Sequence, residues 1–112
     1  MKKILIIGYV WPEPNSSAAG SHMMSILRLY KQQNWQVEFA TPAQATEHMI
    51  DLTSEGISSQ SIELNSDSFD AYITQYQPDI VMFDRFMMEE QFGWRVEKNC
   101  PSALKILDTE DL

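Results

Sequence analysis

Two short runs in this chain are apolar at every position. Ile4-Leu5-Ile6-Ile7 follows Lys3, and Asp79-Ile80-Val81-Met82-Phe83-Asp84 brackets a second run between carboxylates. Unbroken runs of this length belong to strands covered on both faces, as in the middle of a parallel sheet. Three weaker strand signals accompany them. Val37 and Phe39 alternate with polar neighbours over 36–40, Ile62 and Leu64 mark a peripheral strand within 57–64, and Leu104 to Leu107 form the last.

The intervening segments carry helical spacing. Ala19, Met23, Ile26, Leu27 and Tyr30 share one face of a helix from about Ala19 to Gln33, with Asn34 as its stop. Thr41-Pro42 reads as a second helix start: threonine caps free N–H groups, proline at the first position has no N–H to lose, and Gln44 completes a capping box. That helix is expected to reach about Ser54, with Gly56 as terminator. Asn65-Ser66-Asp67 punctuates the chain before a third helix, whose face is Phe69, Tyr72, Ile73 and Tyr76 and whose end is Pro78. A fourth is expected over 87–98, where Gly93 weakens or interrupts it by about 1 kcal/mol relative to alanine.

The resulting order, β-α-β-α-β-α-β-α-β, predicts an α/β fold: a doubly wound, Rossmann-like three-layer sandwich around a five-stranded parallel sheet of order 3-2-1-4-5. Strands 1 and 4, the two fully apolar ones, then lie at the centre. Ligands of such sheets bind at the carboxyl ends of the strands where the order reverses, here beside Gly8 and Asp84.

The totals narrow the function classes. With 112 residues, 44% of them hydrophobic, the chain has material for one domain. Sixteen acidic and eight basic residues give a net charge of −8, which argues against nucleic acid, because phosphate-backbone binding needs clustered Lys and Arg. The charge is uneven: residues 1–40 carry a net +2, and the remainder −10. Cys100 is the single cysteine, read as a small buried hydrophobe, and it leaves no intrachain disulfide. Lys2-Lys3 and the apolar run after them are a strand rather than a leader, since Gly8 breaks the run. No apolar stretch approaches the ~18 residues of a membrane span. The expected setting is a reducing cytoplasm. Gly20-Ser21-His22-Met23 matches the remnant of a cleaved purification tag, but it lies inside the chain and is read as native.

Candidate chemistry gathers behind the first strand, in Gly8-Tyr9-Val10-Trp11-Pro12-Glu13-Pro14 and the helix entry Ala18-Ala19-Gly20-Ser21. Small residues at a helix N-terminus leave unpaired N–H groups and a partial positive charge open to an anion. They equally permit tight helix-to-strand packing. Neither G-x-G-x-x-G nor G-x-x-x-x-G-K-[ST] occurs, which removes the best evidence for dinucleotide binding or P-loop chemistry. Tyr9 and Trp11 stand where they could stack on a sugar or lipid acceptor. Asp84-Arg85 closes strand 4 at the same edge, a carboxylate suited to hydroxyls beside a guanidinium suited to phosphate, or else an internal ion pair. Asp108, Glu110 and Asp111 form an acidic cluster after strand 5. His22 and His48 are far apart and join no ligand set, so no metal centre is expected.

Taken together, several stretches resemble the N-terminal domain of GT-B glycosyltransferases, particularly family 4. They are the Lys3 to Gly8 strand, the Pro-containing loop, the small-residue helix start with Gly20 and His22, Asn34-Trp35-Gln36-Val37, Pro78-Asp79-Ile80-Val81, and Leu107-Asp108-Thr109-Glu110-Asp111. The likeness covers all 112 residues and implies the acceptor-side half of a retaining, nucleotide-sugar-dependent enzyme. In that family a second, C-terminal domain holds most of the donor, so this chain alone is expected to be inactive. The resemblance further implies that Ala19, Gly20 and Ser21 reach the donor diphosphate, with Ala19 standing where relatives commonly have a second glycine. Tyr9, Trp11, His22, Asp84, Arg85, Asp108, Glu110 and Asp111 would then line the acceptor cleft. Glu110 falls where relatives carry a histidine. No resident cofactor is implied; the nucleotide-diphosphate sugar is a substrate, the acceptor a glycan or lipid-linked glycan, and peripheral membrane association stays open for the full-length enzyme. Glu89 and Glu97 spell E-x7-E, but that motif belongs to the family's second domain and is read here as chance.

The alternative is a free-standing flavodoxin-like or receiver-like module without catalysis. Gly8-Tyr9-Val10 lacks the acidic cluster that a receiver presents after strand 1, and Asp108-Thr109-Glu110 lacks its lysine. A third reading is an interaction surface built from Met23, Met24, Met87 and Met88.

Overall fold

The structure, a computed structural model, describes residues 1–13, 18–47 and 49–109, and for residues 18–20 the backbone only. Five parallel strands form one sheet: β1 (Lys3–Ile7), β2 (Gln36–Thr41), β3 (Ser58–Ser61), β4 (Ile80–Asp84) and β5 (Leu104–Asp108). Their order is β3-β2-β1-β4-β5. The fold is thus the doubly wound α/β arrangement that the apolar runs predict.

Alternation along the central strands divides the core in two. Ile4 and Ile6 of β1, with Met82 of β4, face helix α1 (Ala18–Gln32), where Met23, Met24 and Leu27 meet them. Leu5, Ile7, Val81 and Phe83 point the other way, against α2 (Asp67–Tyr76) and α3 (Phe86–Asn99), which supply Phe69, Ile73, Met88, Phe92 and Val96. Ile4 through Ile7 are wholly inaccessible, as expected of strands buried on both faces. Met23, Met24 and Met88 are likewise buried; of the four methionines considered for a surface, Met87 alone is exposed.

The helix expected over 41–54 does not form. Thr41 is the last residue of β2, paired with Ser61, and its Oγ1 accepts the Ala43 N–H at 3.2 Å in a local turn. Beyond it the backbone is held by partners across the chain instead of by its own next turn. Trp11 donates its indole N–H to the Ala43 carbonyl at 3.1 Å, and the Ile50 N–H donates to Pro12 O at 2.8 Å. These contacts and the packing of Met49, Ile50 and Leu52 against the α1-side core override the local capping signal. Only a 3-10 turn, Thr53–Glu55, precedes Gly56, whose φ of 76° ends it. His48 lies outside the described residues.

The other boundaries have visible causes. Asn34 takes φ 63° just past α1. Ser66 caps α2 by accepting the Ser68 N–H on Oγ, and Gln77 closes that helix at φ 50° before Pro78. Helix α3 runs through Gly93 without interruption, because the segment buries Met88, Phe92 and Val96 on one face and packing outweighs a single glycine. Cys100 is buried, its thiol pushed up by that burial.

The two sheet edges differ. β3 is Ser58-Ser59-Gln60-Ser61, short and exposed throughout, a protected edge. β5 presents Leu104 and Leu107 to solvent, beside the exposed Trp94 of α3.

Candidate functional site at the carboxyl edge of the sheet

Strand order reverses between β1 and β4, and chemistry converges on their carboxyl ends. The chain leaves β1 through Gly8, whose N–H donates to Ala40 O at 2.8 Å. A Cβ on Gly8 would lie 2.3 Å from Phe39 Cζ, so glycine is needed for this exit to pass over a fully buried ring. The next residue, Tyr9, is thereby held over the end of β4: its N–H reaches Asp84 Oδ2 at 3.4 Å, and the Arg85 guanidinium sits 4.8 Å from its ring centre.

Asp84 ends β4 and is only 6% exposed. Burial pushes its carboxyl above the ordinary carboxylate range, against the opposing pull of the Tyr9 N–H and Arg85. Its Oδ1 lies 3.9 Å from Arg85 Nε, too far for a hydrogen bond. Both atoms are buried, and neither has a hydrogen-bond partner among the described residues.

Arg85 itself occupies φ 79°, ψ 152°, a region that belongs essentially to glycine. Its backbone is fixed there from both sides. The Arg85 N–H donates to Asp108 O at 2.9 Å, and the Arg85 carbonyl accepts the Met88 N–H at 3.1 Å to start α3. Such strain costs of order 1–3 kcal/mol and persists where the surroundings over-determine it, commonly at functional sites.

From the far side α1 enters the same edge. His22 Nε2 is 3.1 Å from Asp108 Oδ2, and Asp108 pairs in register with Asp84 across β4 and β5. Ala19, Gly20 and Ser21 fall in the first turns of α1, on this edge and just before His22. Four separate segments therefore bring Tyr9, His22, Asp84, Arg85 and Asp108 together.

Trp11 is placed elsewhere: it is buried, tilted against Phe39 at 5.6 Å between ring centres, and its N–H is taken by Ala43. Of these two aromatic candidates, Tyr9 is left at the rim. Glu110 and Asp111 lie outside the described residues. Glu97 pairs with Lys105, and Glu89 lines an apolar groove of about 420 Å³ between α3 and β5, formed chiefly by Phe83, Gly93, Trp94, Ile106 and Leu107. Among the described residues, no group of three or more His, Cys, Asp and Glu side chains could hold a metal ion. No described helix is long and apolar enough to cross a membrane. Two features of the site lie beyond sequence reasoning: the positive φ of Arg85, for which a non-glycine residue gives no signal, and the lack of a hydrogen-bond partner for Asp84 Oδ1 and Arg85 Nε among the described residues.

Fold and site together define a Rossmann-like α/β domain with a mixed-charge, partly aromatic cluster at its topological switch point. Comparison with protein-family models, curated proteins and solved structures returns no match for this chain.

Proposed function

We propose that this chain is the N-terminal, acceptor-side domain of a retaining glycosyltransferase that uses a nucleotide-diphosphate sugar. The observation that carries the reading is the convergence of Tyr9, His22, Asp84, Arg85 and Asp108 on the carboxyl edge where β1 and β4 part, with the first turns of α1 on the same rim. The resemblance of the chain's ordered stretches to family 4 supports the same assignment.

On this reading the two parts of the rim divide the work. The α1 entry at Ala19, Gly20 and Ser21 offers backbone N–H groups and the positive helix end to the leaving diphosphate, where negative charge grows during transfer. The Tyr9, Asp84 and Arg85 cluster receives the acceptor, a glycan or lipid-linked glycan. Most of the donor is held by a second α/β domain, so the chain alone does not complete the reaction.

The test is direct. The coding sequence beyond Leu112 should specify a linker and a second α/β domain. The joined protein should transfer sugar from a nucleotide-diphosphate donor with retention of anomeric configuration, while residues 1–112 alone show no turnover. Turnover by the 112-residue chain, or a continuation without such a domain, overturns the reading.

A further inference from the structure

Within the proposed acceptor site, and resting on that assignment, we infer that Asp84 and Arg85 form a clamp for one neutral alcohol group of a sugar, and not a phosphate site. The inference starts from the two buried atoms that face each other 3.9 Å apart, Asp84 Oδ1 and Arg85 Nε. A carboxylate oxygen accepts and a guanidinium N–H donates. A single hydroxyl does both: its proton goes to Asp84 Oδ1 while its oxygen accepts from Arg85 Nε. A phosphate oxygen can satisfy Arg85 but only repels Asp84.

The surroundings favour the same chemistry. Among the described residues, Asp108 adds a second carboxylate in register beside Asp84, while His22 and Arg85 are the basic groups that contact the two. This balance has no excess of positive charge to draw a diphosphate from water. Tyr9, 37% exposed, offers an aromatic surface beside the clamp, the usual partner of a sugar's C–H face.

Both clamp atoms are enclosed, so the hydroxyl enters only if the Arg85 side chain turns away from Asp84. Little opposes that movement: the guanidinium is held by its contact with the Tyr9 ring and by a long ion pair, and its side chain is 28% exposed. The backbone does not follow, because the Arg85 N–H and C=O are both bonded. Strained φ and ψ keep Arg85 where its side chain can serve Asp84, although glycine would suit that backbone better.

The experiment uses the 112-residue chain, 15N-labelled, titrated with the neutral methyl glycosides of glucose, galactose, mannose and N-acetylglucosamine, and separately with pyrophosphate. At least one glycoside should saturably shift the Tyr9, Asp84 and Arg85 amides together with the Arg85 Nε–H resonance. The dissociation constant for so small a ligand should be on the order of 1 mM. Asp84→Ala should weaken it by about tenfold or more, as loss of a charge-assisted hydrogen bond does, and so should Arg85→Lys, which keeps the charge but lacks Nε–H. Should Asp84→Ala perturb the fold, Arg85→Lys carries the test, with unchanged amides elsewhere as its control. The clamp is overturned if none of the four glycosides shifts these resonances, if binding survives both substitutions, or if pyrophosphate binds at Arg85 more tightly than every glycoside. Failure of the clamp and of the transferase reading are separable. Glycoside binding without transfer by the joined protein leaves the clamp standing; transfer with an acceptor KM unchanged in Asp84→Ala removes the clamp alone.

Discussion

Arg85 carries the clearest single-residue prediction, because its backbone and side chain have opposite preferences. At φ 79°, ψ 152°, glycine would remove strain of order 1–3 kcal/mol, while a more flexible unfolded chain and the lost contact with Tyr9 offset part of that gain. Alanine would keep the strain and lose the side chain. Arg85→Gly should therefore be more stable than Arg85→Ala by about 1 kcal/mol in urea unfolding, an inversion of the usual order at ordinary backbone positions. Arg85→Ala more stable than Arg85→Gly, the usual order, would mean that the backbone at residue 85 is not strained. Gly8 has the reverse logic. Its added Cβ would fall on the buried ring of Phe39, so Gly8→Ala should destabilise the chain by about 1–3 kcal/mol, the range for overpacking a close-fitting core. It should also displace Tyr9 from Asp84, visible as a shift of the Tyr9 amide. A glycine after an apolar strand can be read from sequence as a place of close approach; which ring it approaches cannot.

At the scale of the elements, what was legible depended on whether local and tertiary signals agreed. β1 and β4 could be read because four consecutive apolar residues leave no solvent face, and their central places in the sheet follow from the same fact. Helix α2 could be read from Ser66, its apolar stripe and Pro78. The Thr41-Pro42 signal misled because a capping residue acts only if its neighbours are free to form a turn, and here the sheet holds Thr41 while Trp11 and Pro12 hold the backbone that follows. Trp11 has the same history: a tryptophan after a strand can cover a ligand or cover the core, and the partner that decided it, Ala43 O, lies 32 residues away. The site shows the same limit. Asp84, Arg85 and Tyr9 were candidates by position, but the 3.9 Å gap between two buried polar atoms exists only in three dimensions. The α2–α3 contact yields a prediction at this scale. Arg95 of α3 donates to Asp70 of α2 at 2.7 Å and lies 3.5 Å from Asp67. Burial alone would raise the Asp70 carboxyl, but hydrogen bonds from Arg95 and Asn99 outweigh it and hold the carboxyl below its usual range. A depressed carboxylate stabilises the fold above its unfolded pKa, and that contribution is lost as pH falls through the lowered value. Asp70→Asn should accordingly be less stable than the parent at pH 7 and converge with it in strong acid, measured by urea midpoints across pH 2–7; a constant difference across that range would show that the pair does not titrate as argued.

For the whole molecule, the alkaline limit is set on the face of the sheet that α2 covers. Tyr72 donates to Glu38 of β2, and Tyr76 stacks on Tyr72 with ring planes 13° apart. Burial pushes both phenols up, Tyr76 to about 12, with the Glu38 carboxylate adding to each because it opposes a second negative charge. The Tyr76 hydroxyl is buried without a well-formed hydrogen bond among the described residues, and the nearby Gln36 side chain opposes part of the rise. The sign then follows from linkage. A phenol whose folded pKa exceeds the unfolded value of about 10 stabilises the fold below that value, and the stabilisation is lost as pH rises through the folded pKa. Stability should therefore decline between about pH 10 and about 12, where the unfolded chain ionises before the folded one. Net charge sharpens the decline, since a chain already at −8 near neutrality gains further repulsion as each phenol ionises. Tyr76→Phe separates these contributions. At pH 7 it should change stability by no more than about 1 kcal/mol, because the substitution removes a buried hydroxyl that lacks a well-formed hydrogen bond among the described residues. Above pH 10 it should move the alkaline unfolding midpoint upward, with Tyr72 and the general repulsion accounting for what remains. A midpoint unmoved by Tyr76→Phe would leave the alkaline limit to Tyr72 and net repulsion, and would mean that the Tyr76 hydroxyl reaches water in the folded chain.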